Sequence, residues 1–211
     1  MKKNLQIKVC GLKYSDNIIQ IANICPDFMG FIFYEKSSRY VGKSIEKNVI
    51  ERLPVNIIKT GVFVNETIQN ILNIAKNNNL DAIQLHGNED EKFCKTIKDE
   101  NLIIIKSFRI NIQFDFRILE VYNDCCNYFL FDTYTDLYGG SGKKFDWNIL
   151  SERKINVPFF LSGGISAEDV GNIKNLNIPN LFGIDINSKF EISPGVKDIE
   201  KVKKFIKTLR S

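Results

Sequence analysis

Eight times along the chain an apolar run of strand length gives way to a polar segment with a helical period, and this alternation limits the fold more than any single motif. The first four pairs are "LQIKVC" with "YSDNIIQIANIC", "FMGFIFY" with "GKSIEKNVIERL", "NIIKTGVFV" with "NETIQNILNIAKNNN", and "DAIQLHG" with "NEDEKFCKTIKDE". The last four are "LIIIKSF" with "FDFRILEVYND", "YFLFDT" with "FDWNILSE", "VPFFLSGG" with "SAEDVGNIKNL", and "LFGIDIN" with "KDIEKVKKFIKTLR". Parallel strands need a helix-sized crossover, so strands spaced in this way pair in parallel. Runs as apolar as "LIIIKSF" are covered on both faces, which an all-parallel sheet requires. Eight units in 211 residues leave about 26 residues each, close to the least a βα unit can use. The expected fold is therefore α/β, a single-domain (β/α)8 TIM barrel over residues 1–211, in preference to an open sheet. Ser15 and Asn65 stand where helix N-caps belong, and Ser166-Ala167-Glu168-Asp169 brings acidic groups into a first helical turn.

Composition removes several classes of function. A hydrophobic share of 44% and a charged share of 26% are those of a globular protein. The net charge of +4 comes from lysines spread along the chain among acidic residues, so no basic stripe offers itself to a nucleic acid. Met1-Lys2-Lys3 begins like a secretory leader, but Lys8, Lys13 and Asp16 interrupt the apolar stretch that would have to follow. No window is apolar for the ~18 residues of a membrane span, and a cytoplasmic location is expected. The five cysteines, Cys10, Cys25, Cys94, Cys125 and Cys126, include no C-x-x-C pair, and a single histidine accompanies them. Neither a metal site nor a disulfide framework is expected from that spacing, and a reducing compartment suits it.

In a barrel of this type chemistry gathers at the C-terminal ends of the strands. There the chain places Cys10, Arg39, His86, Asp132, the glycines of 139–142, Gly163-Gly164, and Asp185 with Asn187-Ser188. Cys10 closes the first run, where a thiol brought toward neutrality serves as a base or nucleophile, and Gly11 keeps the approach to it open. Asp132 closes the sixth run, a costly place for a carboxylate unless it faces a polar pocket that raises its pKa and makes it an acid. The glycine loop "LSGGIS" precedes a helix start, and with "IDINSK" it forms the pair of loops that commonly holds phosphate in such barrels. Arg39 follows the second run; an arginine in a loop is most often a solvated surface residue, and behind a strand end its alternative is to clamp a carboxylate in a bidentate pair. His86, the only histidine, closes the fourth run; a lone histidine is more often structural than catalytic, and no serine motif accompanies it to suggest a hydrolase.

Taken together, these segments make the chain resemble the phosphoribosylanthranilate isomerase family of tryptophan biosynthesis. The resemblance rests on "KVCGL", "GFIFYEKSSRYV", "GVFVNE", "DAIQLHGNED", "FLFDTYTDLYGGSGKKFDW", "FFLSGGIS" and "GIDINSKFEISPGVKD", in order from end to end. It implies an Amadori rearrangement of a phosphosugar, with no cofactor and no metal, by a monomer or homodimer. It further implies Asp132 as general acid and Cys10 as general base. Arg39 would lie on the anthranilate carboxylate, and His86, Ser141 and Gly142 among the substrate contacts. Phosphate would fall to Gly163, Gly164, Asp185, Asn187 and Ser188. Where the family usually has Gly-Val after this Asn-Ser, the chain has Lys189-Phe190, which either supplies charge to the phosphate or points outward. Indole-glycerol-phosphate synthase is disfavoured because it uses Lys and Glu pairs at strand ends, and ribulose-phosphate epimerase because it needs metal ligands. A non-catalytic phosphosugar binder would not need both Cys10 and Asp132.

Overall fold

The computed structural model describes residues 5–133 and 145–211. Eight parallel strands, β1 (Gln6–Val9), β2 (Phe28–Ile32), β3 (Ile58–Phe63), β4 (Ala82–Leu85), β5 (Ile103–Ile110), β6 (Tyr128–Thr133), β7 (Phe159–Leu161) and β8 (Leu181–Ile186), close into a barrel in sequence order. β1 and β8 complete the ring, with Lys8 opposite Asp185 and Val9 opposite Ile186. The helices are α1 (Ser15–Ala22), α2 (Lys47–Glu51), α3 (Ile68–Asn77), α4 (Glu91–Lys98), α5 (Val170–Asn175) and α6 (Ile199–Arg210). A short antiparallel pair, β9 (Glu191–Ser193) and β10 (Val196–Lys197), folds over after β8.

The eight-unit alternation is thus the architecture, but two crossovers differ from the helices expected. Phe116–Tyr122 and Trp147–Leu150 are 3-10 helices, capped by the Asp115 and Asp146 carboxylates. A 3-10 helix rises about 2.0 Å per residue against about 1.5 Å for an α-helix, so it covers a return path with fewer residues. The expected N-caps at Ser15 and Asn65 also move. Ser15 is already inside α1, with its hydroxyl on Glu46, and Thr67 caps α3. Asn65 adopts φ +51° and its side-chain oxygen accepts from the Asn88 amide, tying the loops after β3 and β4 together. At Ser166 the expectation holds, because the Asp169 carboxylate accepts from both its backbone amide and its hydroxyl.

Side chains alternate across the strands, as the two-residue period requires. Ile7, Val9, Met29, Phe31, Phe129, Phe131, Ile184 and Ile186 face outward and pack in the main core with the helices. Phe28, Ala82, Ile105, Leu130 and Phe160 face inward and form a separate cluster with Tyr128 and Phe182. Phe28 meets Phe160 edge-on at 5.1 Å, and Tyr128 stacks on Phe182 at 4.4 Å, so aromatic rings fill one end of the barrel. Gly183 makes room for them, since a Cβ there would lie 2.8 Å from the Phe160 ring. Two positions along from these inward residues the lining turns polar, at Gln84, Ser107, Asp132 and Ser162. Phe160→Ala removes the centre of the aromatic cluster and is expected to destabilise the fold by about 3–5 kcal/mol, read from urea unfolding midpoints.

Candidate active site

The polar end of the barrel opens into one cavity that Cys10, His86, Asp132, Gly163, Gly164, Asp185, Asn187 and Ser188 line together. Ile32, Tyr34, Val62 and Val64 form the wall on the β2 and β3 side, and the two glycines with Asn187 and Ser188 form the side of β7 and β8. Residues separated by up to 178 positions thus meet because the barrel closes. Ser141 and Gly142 lie outside the described residues.

Cys10 follows β1 directly, with its amide on the Ile186 carbonyl at 2.9 Å. Its thiol fits because the neighbour on β2 is Gly30, where a Cβ would stand 2.7 Å from Sγ and 3.1 Å from the Cys10 Cα. Gly11 has a stricter role than an open approach. It takes φ +77°, and a Cβ there would meet the Asn187 Oδ1 at 2.6 Å and the Arg39 Cδ at 2.8 Å. The thiol is not brought toward neutrality, contrary to the expectation from sequence. Burial pushes its pKa above the ordinary thiol value, and the ammonium of Lys8 offsets this only in part.

Lys8 is the residue that sequence reasoning passed over. It reads there as a charge breaking an apolar stretch, yet it lies two positions before Cys10 and therefore on the same, inward face of β1. That spacing was the available signal. Its ammonium is fully buried and donates to the Asp185 carboxylate at 2.9 Å. Burial works against its charge, but Asp185 and the Cys10 thiol more than compensate, so its pKa lies above the ordinary lysine value. Asp185 also accepts from the Ser162 hydroxyl at 3.3 Å. It lines the cavity beside the residues expected at the phosphate, as a buried strand residue paired with Lys8.

Asp132 stands on β6, with Oδ1 accepting from the Thr133 amide at 2.8 Å. Burial pushes its pKa up to about 6, the Thr133 hydrogen bond pulling the other way. Gly163, at φ +90°, lets the loop after β7 press against it, for a Cβ there would be 3.0 Å from Oδ1. His86 follows β4 and approaches Asp132, Nε2 to Oδ2, at 3.6 Å. Burial, then the charges of Lys106, Lys8 and Arg109, hold its pKa down at about 3, so the ring is neutral at physiological pH. Nδ1 lies 3.0 Å from both the Gln84 Nε2 and the Ser107 Oγ. With donors on that side Nδ1 accepts, and Nε2 carries the proton toward Asp132. The loop bearing His86 is fixed by Glu89, which accepts from the Asn65 and Gly87 amides and from the buried Lys106 ammonium at 3.1 Å.

Arg39 does not line the cavity. Its Nε and Nη2 edge is held by the Glu191 carboxylate at 2.7–3.1 Å. Glu191 in turn accepts from the buried Lys197 ammonium at 2.7 Å. Lys189 is exposed while Phe190 is buried against Phe205, so of the two readings for this departure the outward one is correct.

The chain matches the family model for N-(5'phosphoribosyl)anthranilate (PRA) isomerase over residues 7–208. It belongs to that family. A relative from Parabacteroides distasonis, an N-(5'-phosphoribosyl)anthranilate isomerase, is 44% identical over 204 residues, covering 96% of this chain and 92% of its own. The crystal structure of phosphoribosyl anthranilate isomerase from Thermotoga maritima superposes with a TM-score of 0.84 at 32% identity, covering 98% of both chains. A second isomerase structure, in complex with reduced 1-(o-carboxyphenylamino)-1-deoxyribulose 5-phosphate, gives a TM-score of 0.81 at 29% identity, again over 98% of both chains.

The crowding at Gly30 makes a direct test of how tightly the thiol must be placed. Gly30→Ala drives a methyl group into Cys10 and is expected to lower kcat by about 100-fold while circular dichroism stays that of the wild type.

Proposed function

We propose that the chain catalyses the Amadori rearrangement of N-(5-phosphoribosyl)anthranilate to 1-(2-carboxyphenylamino)-1-deoxyribulose 5-phosphate in tryptophan biosynthesis, by general acid–base catalysis. The observation that carries this reading is that one cavity joins a carboxyl on β6, with its pKa raised to about 6, to a buried thiol at the end of β1, three strands away around the ring. The reaction moves protons within one molecule, so an acid and a base suffice and no cofactor or metal is called for. Asp132 gives its proton to the ribose ring oxygen. The C1′–oxygen bond breaks as the anilino nitrogen lone pair forms the Schiff base. The Cys10 thiolate then takes the proton from C2′, and the resulting enolamine tautomerises to the ketone. Neutral His86, with its Nε2 proton facing Asp132, stabilises the carboxylate left behind.

The cavity walls orient this substrate. Ile32, Val62 and Val64 offer an apolar surface for the anthranilate ring, and Gly163, Gly164, Asn187 and Ser188 offer the phosphate site. Gly163 and Gly164 take φ +90° and +66°, conformations that favour glycine, and without side chains they leave the backbone of this loop open to close approach by an anion. Arg39 stands outside the cavity lining, beside Gly11 and Asn187, and the family resemblance gives it the anthranilate carboxylate. Glu191 takes one edge of its guanidinium and leaves the Nη1 edge for the substrate carboxylate. A cytoplasmic location suits five free thiols, and no helix among the described residues is long and apolar enough to cross a membrane.

The paired pKa shifts give the pH profile a definite form. The productive state needs Asp132 protonated and Cys10 ionised, although Asp132 is the stronger acid of the two. Below about pH 6 Asp132 is fully protonated, and the rate rises with pH as thiolate forms. Above it, each gain in thiolate is matched by a loss of protonated Asp132, so kcat/KM is flat until the thiol itself titrates. Substrate formed in situ from anthranilate and phosphoribosyl pyrophosphate, followed by loss of its fluorescence, provides the assay. Wild type is expected to show the plateau, and Asp132→Asn a residual rate, lower by about 100-fold or more, that climbs across the same range. A wild-type rate that climbs there would remove Asp132 from the acid role.

Cys10→Ala is expected to lose turnover by a similar or larger factor in the same assay and to keep its fold. Near-native turnover in that variant would remove Cys10 from the base role.

A further inference from the structure

Outside the cavity, three thiols converge on one point. Cys94 on α4 and Cys125 with Cys126, on the turn leading into β6, hold their sulfurs within 4.8 Å of one another. The Cys125 and Cys126 sulfurs are 3.9 Å apart, and all three residues are buried. We propose that this cluster is a three-thiolate site for one soft d10 metal cation.

The scaffold is built before any ion arrives. The Cys125 and Cys126 amides both donate to the Tyr122 carbonyl, at 3.2 and 3.1 Å, and the Tyr122 hydroxyl donates to the Glu89 carbonyl. A cation about 2.3 Å from three sulfurs, and in their plane, sets those sulfurs about 4.0 Å apart, close to the 3.9 Å between Cys125 and Cys126 and within the 4.8 Å that contains all three. A set made of sulfur alone selects soft cations such as Cu(I) or Zn(II) and rejects Mg(II) and Ca(II). Each thiol that binds gives its proton to solvent. None of the three cysteines lines the catalytic cavity.

The test uses the full-length reduced protein under anaerobic conditions. Cd(II), as a divalent probe, is followed by thiolate charge-transfer absorption, and Cu(I) by competition with a chromophoric chelator. Wild type and Cys25→Ser, which changes an exposed thiol, are expected to take up one equivalent. Cys94→Ala is expected to bind more weakly by about tenfold or more. Tighter uptake of Cu(I) would identify a planar three-coordinate site, and tighter uptake of Cd(II) one completed by water. Wild-type stoichiometry and affinity in Cys94→Ala, or uptake of neither ion by wild type, would overturn the proposal. Turnover at the wild-type level verifies that Cys94→Ala is folded, and Cys126→Ser carries the same test if it is not.

Discussion

The ring of strands closes where β1 meets β8, and a buried ion pair between Lys8 and Asp185 sits at that seam. Buried pairs of this kind add little net stability, because the cost of removing both charges from water offsets most of their attraction. A pair of apolar residues would close the barrel as well. What apolar residues would not supply is a fixed positive charge under Cys10, held by a partner that cannot leave. The same seam fixes the end of β1 through the Cys10 amide on Ile186, so closure and placement of the thiol are one event.

The molecule uses its strand period to keep two kinds of interior apart. Outward positions feed one continuous core with the helices, and inward positions divide along the barrel axis into aromatic rings at one end and polar groups at the other. Burial around the polar end shifts Asp132 upward and His86 downward, so for both adjacent groups the neutral form is favoured over the charged one. Three glycines complete the arrangement: Gly30 admits the thiol, Gly163 admits the loop against Asp132, and Gly11 admits Asn187 and Arg39.

The barrel was legible in the sequence because strands covered on both faces stay largely apolar, and that signature alternates eight times with helical segments even where a Lys8 or a Gln84 interrupts it. The crossovers at Phe116–Tyr122 and Trp147–Leu150 were not, since over four to seven residues the periods of a 3-10 helix and an α-helix, about 3.0 and 3.6 residues per turn, place apolar residues almost alike. Of the site, Cys10 and Asp132 were legible from their place at strand ends. The partners of the charged residues were not. Arg39 and Glu191 are 152 positions apart, and Lys8 and Asp185 are 177 apart, and no local pattern records such a pairing.

The aromatic end of the barrel has a consequence for how this chain can change over generations. Phe28, Tyr128, Phe160 and Phe182 touch one another and none of them borders the catalytic cavity. Substitutions there can retune thermal tolerance while the acid and the base keep their distances. A change at that pole of the cylinder is therefore read in stability, and one at the other pole in the chemistry of the cavity.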